Sequence, residues 1–87
     1  MLNYQEQYNK NPKIKHLIGV MKHWVSRIDD GMMLIVSSYA IEVVDSTYES
    51  LFVLNRQFDN GDEKEFESYL RQSLVIHIAQ IHSEALS

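Results

Sequence analysis

Two short polar runs, Asp29-Asp30-Gly31 and Asp59-Asn60-Gly61, cut this 87-residue chain into three pieces of similar length. Asp and Asn side chains hydrogen-bond their own local backbone and glycine accepts conformations other residues resist, so such runs mark turns. Whatever the chain folds into must reverse or break at both places, and its length leaves room for one domain only.

The first piece reads as a helix over 12–29. Asn11 can cap the free amides, and Pro12 at the first helical position lacks an amide that would need a partner. Ile14, Leu17, Ile18, Met21, Trp24, Val25 and Ile28 then recur at the helical period, with Lys13, Lys15, His16, Lys22, His23, Ser26 and Arg27 on the other side. Gly19 weakens that helix and marks a close approach of another one. Gly31 supplies the left-handed cap that ends it. The ten residues ahead, with Tyr4 and Tyr8, read as a loose arm.

The last piece reads as a helix over 62–85. Asp62 followed by Glu65 resembles a capping box, and an acidic first turn suits the positive end of the helix dipole. Phe66, Tyr69, Leu70, Leu74, Ile78, Ile81 and Ala85 form its stripe, widened by Val75, Ile76 and Ala79.

The middle piece, residues 32–58, is apolar around its whole girth when wound as one helix. Leu34, Ile41, Val44, Tyr48, Leu51 and Phe52 make one stripe, and Met33, Val36, Ala40, Val43, Thr47, Leu54 and Phe58 a second beside it. The competing reading takes Met32–Val36 and Tyr39–Val44 as two strands, since β-branched residues are dense there. Ser37-Ser38 is poor chemistry for a two-residue hairpin, and two strands alone make a marginal ribbon, so the helix is preferred. The expectation is an all-α protein, a three-helix antiparallel bundle with a long central helix. Three helices can hide about one face each, so the surplus apolar surface implies a homodimer with the second or third helix at the seam.

Catalytic signals are absent from the pattern. There is no cysteine, hence no disulfide or thiolate site, and the three glycines stand apart rather than forming a phosphate loop. His16 and His23 sit two helical turns apart, and His77 and His82 fall on different faces of a helix, so neither pair is set to share a metal ion. Carboxylates around residues 59–67 do not meet calcium-loop spacing, and no serine has a nucleophile-elbow context. The expectation is a protein that is not an enzyme and takes no cofactor and no metal. The longest apolar run, Met32–Val36, is too short to span a bilayer and the N-terminus lacks a signal-peptide core, which places the protein in the cytoplasm without membrane contact.

Charge supplies the functional expectation. In residues 1–30, Lys10, Lys13, Lys15, Lys22 and Arg27 outweigh Glu6, Asp29 and Asp30. Residues 31–87 carry Arg56, Lys64 and Arg71 against nine carboxylates. An acidic surface speeds encounter with basic partners and repels phosphate. The chain therefore reads as an acidic protein-binding module that blocks a basic partner of toxin or nuclease type, as immunity proteins, antitoxins and phage-encoded inhibitors do. Asp59, Asp62, Glu63 and Glu67 form the expected epitope. Glu42, Asp45 and Glu49, at spacings of three and four, form a second ridge on the central helix, with Tyr48, Phe66 and Tyr69 as aromatic anchors nearby. The alternative is a nucleic-acid-associated regulator using Lys13, Lys15, Lys22 and Arg27 on the first helix, although no known DNA-binding pattern surrounds them.

Overall fold

Three helices and a three-stranded antiparallel sheet make up the fold in a computed structural model that describes residues 1–86. The order is α1 (Tyr4–Lys10), α2 (Pro12–Ile28), β1 (Met33–Val36), β2 (Ile41–Val44), β3 (Ser50–Leu54) and α3 (Glu63–Leu86), with the strands in the order β1-β2-β3. The all-α bundle with its long central helix is thereby overturned. The middle third is a β-meander, and the architecture is α+β.

The physical reason lies in the turns. Val36 pairs with Ile41, so the first hairpin loop spans residues 37–40 rather than Ser37-Ser38 alone. It closes through the Ser37 amide and hydroxyl, which both donate to the Ala40 carbonyl at 2.9 and 3.1 Å. The positive backbone angles of a two-residue hairpin are not needed in a loop of this length. The second turn is built by Asp45, whose carboxylate accepts from the Thr47 amide, the Thr47 hydroxyl and the Glu49 amide at 2.7–3.0 Å. Tyr48 takes the left-handed backbone there (φ 63°). The third strand this turn produces removes the objection that two strands make a marginal ribbon.

Helices cover one face of the sheet. The core holds Tyr4, Ile14, Ile18 and Val25 from α1 and α2, Leu34, Ile41, Val43 and Leu54 from the strands, and Phe66, Leu70, Leu74 and Ile78 from α3. α2 lies against β1 and α3 against β3. Asn11–Lys13 and Glu63–Glu67 border one shallow cleft while Trp24 meets His82 further along, so α2 and α3 run in the same direction.

The N-terminal ten residues are not a loose arm. Asn3 caps α1 through the Glu6 amide, and Asn11 closes α1 and caps α2 through the Lys13 amide. Tyr4 is fully buried, edge-on to Phe66 at 4.9 Å, and its hydroxyl donates to the Arg56 carbonyl. Burial pushes that hydroxyl's pKa up. The glycines also differ from expectation. A Cβ on Gly19 would meet nothing within 4 Å, so no helix approaches it. Gly31 has no positive φ, and Asp29 ends α2. Gly31 is needed because a Cβ there would lie 2.4 Å from the Ser46 Cβ, where the two loops touch.

Candidate functional site

The face of the sheet turned away from the helices is apolar and open. Directly paired residues of antiparallel strands share a face. The pairings Ile35↔Glu42, Glu42↔Val53 and Met33↔Val44 therefore put these five side chains opposite the core-facing Leu34, Val43 and Ile41, with Val44 alone of the five buried. Met33, Ile35 and Val53 are each 40–43% exposed, as is Leu51, the extra residue at the bulge in the β2–β3 register. Glu42 sits at the centre of this surface, between Ile35 and Val53, with no ion-pair partner among the described residues.

The electrostatics of this face are one-sided. From Ile28 to Asn55 the chain contains no Lys, Arg or His, while Asp29, Asp30, Glu42, Asp45 and Glu49 all lie there. All basic side chains belong to α1, α2, α3 or the Arg56 segment that follows β3. The Thr47 hydroxyl and amide, with the Glu49 amide, hold the Asp45 carboxyl below the usual carboxylate range, so the turn beside the face stays anionic. A carboxylate at the centre of an apolar surface, with no cation of its own chain on that sheet, suits an incoming apolar surface that carries a cation.

The acidic residues anticipated from the sequence are divided by the fold. Glu42, Asp45 and Glu49 are not a helical ridge, because the helix that would have aligned them is a strand, a turn and a strand entry. Glu42 lies on the open face, Asp45 is folded into its turn, and Glu49 is exposed ahead of β3. Asp59, Asp62, Glu63 and Glu67 gather around the start of α3, where Asp62 donates its amide to the Asp59 carbonyl and accepts the Phe66 amide. That cluster has cations of its own: Lys64 shares its shallow cleft, and Glu67 pairs with Arg71 at 3.1 Å. Of the three aromatic anchors, Tyr48 is exposed, Phe66 is core, and Tyr69 is half-buried beside Phe58, with Arg56 stacked over both rings.

The four basic residues of the nucleic-acid alternative do not share a face. At about 100° per residue, Lys15 and Lys22 lie on the opposite side of α2 from Lys13 and Trp24. Lys22 reaches over the Tyr8 ring at 5.0 Å, on the α1 side. Arg27 lies one turn past Trp24 and forms no ion pair among the described residues.

A second apolar feature departs from the sequence expectation, in which Trp24 belongs to the apolar stripe of the first helix. Trp24 is 48% exposed and stands edge-on to His82 at 6.5 Å. With Met21, Val75, Ile78 and Ala79 these residues line an apolar cleft of about 290 Å³ between α2 and α3. Among the described residues no group of three His, Asp or Glu is placed to hold a metal ion, and no helix is long and apolar enough to cross a membrane. What could have signalled the open sheet face is the run Met32–Val36, where both sides of a strand are apolar and one must be left uncovered by a single helical layer. No family model, curated protein or solved structure matches this chain, so its functional reading rests on these two surfaces and their charge.

Proposed function

We propose that this protein is a non-catalytic interaction module that docks a basic protein partner on the open face of its sheet. The observation that carries this reading is the conjunction of half-exposed Met33, Ile35, Leu51 and Val53 around Glu42 with the absence of any basic residue from Ile28 to Asn55. Exposed apolar patches rimmed by polar groups mark interaction surfaces. Here the carboxylate fixes the sign of the charge that the partner must bring. Binding of this kind acts by covering the partner's surface, in the manner of an inhibitor of a cationic toxin or nuclease. The division of Lys13 and Arg27 from Lys15 and Lys22 supports it over nucleic-acid binding.

The test is a paired capture from the native host. Wild-type protein and the Ile35→Asp/Val53→Asp variant serve as baits, with folding of both checked by circular dichroism. A basic protein recovered stoichiometrically by the wild type and lost by the variant is the expected result. A partner that both baits retain equally would place recognition elsewhere. A salt-dependent shift of labelled DNA or RNA that Lys13→Glu abolishes would favour the nucleic-acid reading.

A further inference from the structure

The open sheet face and the α2–α3 cleft are chemically complementary to each other, and they lie on different layers of the same chain. The sheet offers apolar side chains around Glu42 and no cation. The cleft offers Trp24, Met21 and Val75, with Arg27 one turn beyond Trp24 and in no ion pair among the described residues. Tryptophan and arginine are the residue types that most often dominate binding energy at interfaces. One chain cannot bring its own two surfaces together, because α2 and α3 stand on the covered side of the sheet.

We infer that the α2–α3 cleft of a second copy occupies the open sheet face, in a head-to-tail contact that sets Arg27 of the second copy against Glu42 and Trp24 of the second copy against Ile35 and Val53. This rests on the reading of the sheet face as a docking surface and names an occupant that brings a cation, Arg27, to it. Charge decides between a second copy docked this way and a symmetric pairing. Two sheet faces brought together would set one cation-free acidic surface against another, with each Glu42 buried and uncompensated. Two clefts brought together would leave both Glu42 faces open. The head-to-tail contact satisfies both surfaces at once. A standard interface takes about 800 Å² from each partner, a modest share of the 5645 Å² that the chain exposes, so two such surfaces fit on one molecule. A contact between unlike surfaces repeats, and it ends only when a ring closes. A foreign basic partner would then compete with copies of the chain for the same sheet.

The experiment is sedimentation velocity on the full 87-residue chain from micromolar to millimolar concentration, at low and high salt. The wild type is expected to grow past a dimer with concentration and to dissociate as salt rises. Glu42→Arg and Arg27→Glu should each weaken association at least ~10-fold. Mixed together, the two variants should regain assembly in alternation, since the intact cleft of one meets the intact sheet face of the other and the two reversed charges attract at the next contact. The double variant Glu42→Arg/Arg27→Glu should regain self-association, which a misfolded chain would not. A wild type that stays monomeric throughout overturns the inference, and so does assembly in which the mixed variants fail to pair. Neither result touches the docking role of the sheet, which stands or falls on the Ile35→Asp/Val53→Asp capture.

Discussion

The two faces of the sheet are made of the same kind of residue and have opposite fates. Leu34, Ile41, Val43 and Leu54 on the helix-facing side are no more than 7% exposed, whereas Met33, Ile35 and Val53 on the other side keep about two-fifths of their surface in water. Hydropathy does not distinguish the two sets. What separates them is the single layer of helices, which covers one side and leaves the other open. Apart from Val44, which pairs with Met33 yet is only 3% exposed, an apolar residue on these strands is buried or half-exposed according to its parity.

Substitutions matched across the sheet give the largest contrast. Ile41→Ala removes fully buried methyl groups and should cost about 2–5 kcal/mol in urea-induced unfolding. Ile35→Ala, on the open face, should change stability by at most about 1 kcal/mol, which is the size expected of surface positions. Equal losses at both positions would mean that the outer face belongs to the core.

The loop junction just beyond the Met33↔Val44 end of the β1–β2 pair sharpens the same comparison. Gly31→Ala should cost about 1–3 kcal/mol, because the new Cβ is driven into Ser46 where the two backbones meet. Adding Ser46→Gly should restore much of that loss. If Gly31→Ala is neutral, the Asp29–Gly31 and Asp45–Glu49 turns are not held against each other.

A smaller effect is expected at Tyr4, on the covered side. Tyr4→Phe loses the hydrogen bond to the Arg56 carbonyl and should cost about 0.5–1.5 kcal/mol. The hydroxyl's pKa is raised in the folded state, so its stabilising contribution is complete below the ordinary tyrosine value near 10 and fades as pH climbs beyond it. Wild-type stability should fall in strong alkali more steeply than that of Tyr4→Phe. The smallest effect belongs to the open side. The Asp45 carboxyl is held low, so the turn's support is complete above the ordinary carboxylate range and is lost as pH falls through the depressed value. Amide shifts of Thr47 and Glu49 should follow that titration together, and Asp45→Asn should remove it.

Much of the helical layer is legible in the sequence, and the reason is periodicity. Asn11-Pro12 and the stripe from Ile14 to Ile28 specify α2, and the stripe from Phe66 to Ile81 specifies α3, because each helix buries one face strongly. The sheet is not legible by the same means. A strand betrays itself by alternating apolar and polar residues, and Met33–Val36 does not alternate, since its outer side is apolar too. Leu34, Ile41 and Val44 also fall on a helical stripe by coincidence, and the Asp45 turn carries no glycine to announce itself. At the candidate site, the carboxylates were visible individually, but the meaning of Glu42 depends on Ile35 and Val53 beside it, a neighbourhood that exists only once the strands pair.

The central claim is that recognition belongs to the uncovered side of the sheet. The most direct measurement is an NMR titration of isotope-labelled protein with the basic partner recovered by capture, following backbone amides and side-chain methyls together. Shifts should concentrate at Met33, Ile35, Glu42, Leu51 and Val53 and leave the start of α3 unmoved. Shifts gathered instead around Asp59, Asp62, Glu63 and Glu67, with the strands silent, would contradict the account.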